Sequence, residues 1–155
     1  MIVPLTIEDA INVCAYMRPS DWREIQELSY FENRNDYARA RFEGEGVAFS
    51  VALEAGRPAC IGGLANAGPG NMAAWLVGTN EMPRVAGWAW RFAMQRLVPA
   101  AFGQGIQRVQ CLVMEGNDIA IRYAVKFGFE FEGVMRRLGR SGVNFHSYSL
   151  INEAA

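Results

Sequence analysis

Few side chains in this sequence can move a proton, and they lie far apart. Glu115 ends an apolar run, Val109 to Met114, and precedes Gly116-Asn117, which makes it a carboxylate at the end of a strand. Such a group can serve as a base, although a strand-end carboxylate is more often simply solvated. Tyr123 offers a phenol on a helical stretch, where packing is the plainer role. His146, the only histidine, shares a strand face with Tyr148 and Leu150 and reads first as a satisfied sheet residue. Arg84 follows Glu81 at the start of a long helical stretch, where a cation can meet a phosphate by a charge-assisted bond. Cys14, Cys60 and Cys111 are widely spaced, with no C-x-x-C pair, so neither a zinc site nor a disulfide framework is expected. A reducing compartment, the cytoplasm, suits them.

The elements that position these groups follow from pattern. Val109 to Met114 reads as a fully buried strand. Asn117 or Asp118 caps a helix over Ile119 to Phe127, and Gly128 stops it where a left-handed residue is needed. Phe129 to Leu138 and Val143 to Ile151 form a closing hairpin. Ahead of this unit, Ile2 to Leu5 is a strand, and Thr6 with Asp9 resembles a capping box for a helix from Ile7 to Met17. A second helix, Asp21 to Phe31, turns Trp22, Ile25, Leu28 and Ser29 inward, and a third covers Asn33 to Phe42. Strands follow at Val47 to Leu53, Ala59 to Ala65 and Met72 to Val77. The first two are joined by a hairpin turn over Glu54 to Pro58, and Gly62-Gly63 marks a bulge or a close backbone approach. The longest helix runs from Arg84 to Phe102, with Val85, Trp88, Ala89, Phe92 and Ala93 along its inner face and a kink or stop at Pro99.

The chain of 155 residues is enough for one domain, 1–155, with a sizeable core. Half of it (51%) is apolar and 20% is charged, which excludes disorder. Fifteen basic residues against sixteen acidic give a net charge of −1, so bulk charge does not point to nucleic acid. Arg136, Arg137 and Arg140 cluster, but a solvated hairpin accounts for them. No run approaches the ~20 apolar residues of a membrane span.

The spacing of Asn117, Ala120, Ile121, Gly128 and Phe129 resembles the fourth-helix fingerprint of the GCN5-related N-acetyltransferases, the GNAT superfamily. The order of elements resembles that fold over nearly the whole chain. The resemblance implies an α/β domain of GNAT type, with a mixed, mostly antiparallel sheet of about seven strands between helices. It also implies acyl-CoA as cofactor, an amine as acceptor, and direct transfer without a covalent enzyme intermediate. The family's acid, a Tyr seven residues after the Asn, falls here on Ala124, with Tyr123 one place early and about 100° away around the helix.

By the same resemblance, the strand at Met72 to Val77 and that at Val109 to Met114 are parallel neighbours that splay apart at their C-terminal ends. The gap would take a pantetheine arm on the backbone of Leu76, Val77 and Thr79, with Asn117 on the far side. The pyrophosphate would meet the helix start at Met82, Arg84, Val85, Ala86 and Gly87, where free N–H groups and a partial positive charge attract anions. Of the family's R/Q-x-x-G-x-G/A loop, only Gly87 is kept. Glu115 would be the base and Tyr123 the acid.

The run from Ala73 to Phe92, with the unit that follows, is also similar to small GNAT-like proteins of short-tailed phages, the small internal virion protein family. That likeness covers roughly Met72 to Ile151. It implies a second reading: a catalytically silent fold packaged in a phage virion, with virion proteins as its partners.

Overall fold

The computed structural model describes residues 1–53 and 56–154; the expected turn residues Glu54 and Ala55 lie outside them. The strands are β1 (Ile2–Pro4), β2 (Gly46–Ala52), β3 (Pro58–Asn66), β4 (Asn71–Gly78), β5 (Arg108–Met114), β6 (Glu130–Met135) and β7 (Phe145–Ile151). They form one seven-stranded sheet in the order β1-β2-β3-β4-β5-β7-β6. Only β4 and β5 run parallel; the other neighbours are antiparallel, as expected.

Helices cover both faces. On one side lie α1 (Ile7–Ala15), α2 (Pro19–Leu28) and α3 (Arg34–Glu43), enclosing a core of Val13, Cys14, Tyr37, Ile61 and Val77. On the other lie α4 (Met82–Phe92), a π-helical turn (Ala93–Leu97), α5 (Val98–Gly103) and α6 (Asp118–Lys126) over Phe49, Leu64, Val85, Val109 and Tyr148. Alternation along β4 divides its side chains: Trp75 and Val77 meet the first core, Ala74 and Leu76 the second.

Several local expectations are refined. Thr6 caps α1 by accepting the Asp9 amide at 3.1 Å, but Asp9 does not return the favour. Its carboxylate takes the Ser50 hydroxyl instead, so the box is half closed. No register shift interrupts Gly62 and Gly63, so the close-approach reading holds there: a Cβ on Gly63 would collide with the Val47 carbonyl. Trp88 is not an inner residue; it is 41% exposed. Pro99 does not stop the long helix, which continues through it to Gly103. Having no N–H for the Gln95 carbonyl and a ring that would crowd it, proline demands a wider turn. The π turn supplies one, closed by the Val98 amide on the Ala93 carbonyl.

α2 departs furthest from its apolar pattern. Leu28 is 43% exposed, whereas Asp21 is buried. Asp21, Glu24 and Glu27, spaced for one face of the helix, each accept a backbone N–H from a distant segment. Asp21 takes Gly78 at 2.9 Å, Glu24 takes Met114 at 3.0 Å, and Glu27 takes Ser141 at 2.9 Å. Asp21 and Glu24 face inward where the ends of β4 and β5 leave donors that need acceptors, and Glu27 meets the connection between β6 and β7 at the surface.

Candidate active site

β4 and β5 pair through only three positions, Asn71 with Arg108, Met72 with Val109 and Ala73 with Gln110. Beyond Ala73 they separate, while β4 stays paired to β3 and β5 to β7. A cleft of about 350 Å³ opens between them and reaches both faces of the sheet. Small residues keep it open: Gly63, Ala73, Ala74, Ala93, Ala120 and Ala124 all line it. The π turn contributes Ala93, Met94 and Leu97 to its wall.

Backbone direction shows which groups face the gap. The Thr79 amide donates to Ala59, so the odd-numbered residues of β4 turn toward β3 and the even ones toward the gap. On β5, Glu115 donates to Asn144 beside β7 while Met114 donates to Glu24, so its even residues also face the gap. At the mouth both lips are occupied by α2. Gly78 donates its N–H to Asp21 and its carbonyl accepts the Arg18 amide, and Met114 donates its N–H to Glu24. Deeper in, Ala74 and Leu76 face Leu112 across the opening. Of the residues read from the sequence as arm-binding, Leu76 presents its backbone to the gap. Val77 and Thr79 turn theirs to β3.

Glu24 is the titratable group that sequence reasoning missed. It lines the cleft, and its second oxygen accepts Asn117 Nδ2 at 2.7 Å. Burial pushes its carboxyl up, against the opposing effect of the Asn117 and Met114 donors. Asp21 is also pushed up by burial, opposed by the Arg18 guanidinium, which it binds at 3.0 Å, and by the Gly78 amide. The sequence signal was the spacing of Asp21, Glu24 and Glu27, an acidic stripe beside an apolar one.

Asn117 caps α6 through the Ala120 amide, as its type predicts, and its amide nitrogen steers Glu24. Tyr123 lines the cleft, its ring edge-on to Phe127 with centroids 6.4 Å apart. Glu115 is not among the lining residues. It is half exposed, accepting Asn144 Nδ2 at 3.1 Å and lying 3.5 Å from His146 Nε2. His146 in turn sits against Phe131.

The α4 start is poorly suited to a pyrophosphate. The Glu81 amide is spent on Thr79 Oγ1, the Met82 amide on the Thr79 carbonyl and the Arg84 amide on the Glu81 carbonyl; Pro83 has none. Met82, Val85 and Ala86 bury their side chains in the core, and Gly87 is exposed with open space around it. The Glu81 carboxylate, 2.7 Å from Arg84, adds an anion where one would be repelled. The remaining attraction is the Arg84 guanidinium, 67% exposed. The cleft thus fits an extended amide-bearing arm, while the helix tip does not fit a pyrophosphate held by backbone amides.

No protein-family model matches the sequence, and no curated protein matches it either. Solved structures do. An N-acetyltransferase from Staphylococcus aureus Mu50 superposes with a TM-score of 0.75 at 18% identity, covering 99% of this chain and 98% of that one. The ribosomal-protein-S18-alanine N-acetyltransferase from Escherichia coli gives 0.70 at 14% identity, covering 100% and 95%. A putative phosphinothricin N-acetyltransferase gives 0.74 at 11% identity, covering 99% and 98%. The fold is that of the GNAT N-acetyltransferases. At these identities the likeness speaks for GNAT architecture alone, and chemistry must be argued from the cleft. Among the described residues there is no cluster of three potential metal ligands, and no helix is long and apolar enough to cross a membrane.

Proposed function

We propose that the protein is an acyl-CoA-dependent N-acyltransferase that passes an acyl group directly to an amine in the cleft between β4 and β5. The observation that carries this reading is the three-residue pairing of the two strands, which leaves facing backbone edges open along the cleft. Ala74, Leu76 and Leu112 would hold the amides of a pantetheine arm as an added strand holds its neighbours. A thioester bound there supplies an acyl carbon open to attack. Glu24 is the residue placed to take the proton from an amine entering under α2, since it lines the cleft and its raised carboxyl is a better base than an ordinary one. Asn117 and the Met114 amide position it. Tyr123, which lines the cleft from the opposite side of the sheet, would protonate the thiolate that leaves as the new amide forms. Glu115, paired with His146 outside the cleft, remains a second base only for an amine arriving from the β7 side. Arg84 is the contact left for the cofactor's phosphates.

One observation favours a second reading, a silent GNAT fold serving as a phage virion or interaction protein in the cytoplasm of a host: the spent amides and the Glu81 carboxylate at the helix tip. Calorimetry separates the two. Titration with acetyl-CoA and with S-acetylpantetheine should give binding of both. Glu81→Gln should tighten acetyl-CoA alone, and Arg84→Glu should weaken acetyl-CoA alone. If neither ligand binds at millimolar concentration, the transferase reading fails and the silent fold stands.

A further inference from the structure

We infer that the half of the cleft under α2 and α3 takes an amine that also carries a carboxylate, an amino acid with an apolar side chain, with Arg41 as the anchor for the carboxylate. This inference rests on the transferase reading for the fate of the amine, but not for its binding. The cleft contains two arginines, and they differ in one respect. Arg18 is matched by Asp21 through a fork of bonds at 3.0 to 3.3 Å. Arg41 has no carboxylate partner among the described residues.

The surroundings of Arg41 hold the guanidinium without neutralising it. Its carbon lies 5.1 Å from the Tyr37 ring centroid and 5.1 Å from that of Trp75. Aromatic faces stabilise a cation but accept no N–H fork, and the Tyr37 hydroxyl, the one polar group acting on Arg41 there, is neutral and can take a single N–H, which leaves donors of the guanidinium for a carboxylate. The nearby groups that could become anions do not. Burial pushes the Tyr37 phenol to about 12 and the Cys14 thiol to about 12, despite the opposing charge of Arg41 on each. Asp21 is already committed to Arg18 and the Gly78 amide. A half-buried cation held in plane and lacking an acid is matched by a planar anion from outside.

The remaining walls define the rest of the ligand. Ile25, Leu28, Phe31 and Trp75 line the same half of the cleft and suit an apolar side chain. Glu24 lines it as well and suits the ammonium. The cleft thus offers a zwitterion both a cation and an anion beside apolar walls, whereas a simple amine leaves Arg41 unmatched.

The test is calorimetric titration of the full chain, without any acyl donor, with L-phenylalanine, L-phenylalaninamide and phenethylamine. Losing a bidentate charged pair costs roughly ten- to a hundredfold in affinity. L-Phenylalanine should therefore bind at least about tenfold more tightly than the other two. Arg41→Gln should abolish that difference, bringing L-phenylalanine to the level of phenethylamine, while Arg41→Lys keeps part of it. Equal binding of the three probes would overturn the inference. So would an Arg41→Gln variant that weakens all three alike, which would mark Arg41 as structural. Because no donor is present, absence of acetyl-CoA binding would sink the transferase reading and leave this result intact.

Discussion

Gly78 is where three elements meet, and adding one methyl group there should be costly. Its φ is not left-handed, so backbone conformation does not demand glycine. Space does. A Cβ built on Gly78 would lie 2.6 Å from Met82 Sδ, 2.7 Å from Met82 Cβ and 2.9 Å from Met82 Cγ. The sulfur can swing aside, but Met82 Cβ is fixed to the first turn of α4, so the helix itself must back away from β4. Overpacking of this kind costs about 1–3 kcal/mol. For a chain of this size each kcal/mol lowers Tm by about 2–4 °C, so Gly78→Ala should melt roughly 2–12 °C below wild type. Met82→Ala alone should cost about 2–5 kcal/mol, since its side chain is 1% exposed and leaves a cavity. Truncation also removes the sulfur and Cγ that the new methyl group strikes. The double variant should thus lose less than the sum of the two singles, with a coupling of about 0.5–3 kcal/mol in urea unfolding. The coupling should stop short of full rescue, because Met82 Cβ survives. Strict additivity, or a Gly78→Ala protein as stable as wild type, would refute the contact geometry.

Two further outcomes follow from the carboxylates of α2. If Glu24 takes the proton from the amine, the acid limb of kcat/KM should reflect a carboxyl above the ordinary 4.5, the rate rising with pH as it ionises. Glu24→Gln should remove that limb; a profile with the same limb would exclude Glu24 as base. Glu27 is shifted the other way, held below 4.5 first by the Ser141 amide and then by its hydroxyl. A carboxyl lowered by folding contributes stability above its unfolded value and loses it as pH falls through the folded one. Protection of the Ser141 amide from hydrogen exchange should therefore fade on acidification below about pH 4.5, and Glu27→Ala should abolish it at neutral pH, while Arg140, which donates to the Glu27 carbonyl, stays protected.

Much of the frame was readable from residues. Asn117 and Gly128 bracket α6 because one supplies a capping oxygen and the other sits at φ +91°. The seven strands and the parting of β4 from β5 followed from element order and the family fingerprint. The apolar side of α2 was readable in Trp22 and Ile25, but the inward turn of its carboxylates was not, because periodicity ranks residues by apolarity. It cannot register that the ends of β4 and β5 leave N–H groups requiring acceptors, which Asp21 and Glu24 turn inward to supply. The π turn escaped for a similar cause: Pro99 announces a lost hydrogen bond, but not that the helix will widen around it. Glu115 attracted notice as a strand-end carboxylate, yet the strand's own direction aims its amide at β7 and leaves its side chain beside His146. Trp88 fits the apolar stripe of α4 but falls at its rim.

The three bonds from α2 span sequence separations of 57, 90 and 114 residues. Contacts that distant close large loops and form late. A ribosome must release the chain past Ser141 before a helix made near its beginning can be fastened for good. Until then Glu27 has no donor to receive, although Asp21 and Glu24 can already meet Gly78 and Met114. The Glu27 bond would therefore close last, and a shortened chain ending before Ser141 would still contain the Gly78 and Met114 partners of α2 but lack the anchor for its final turn.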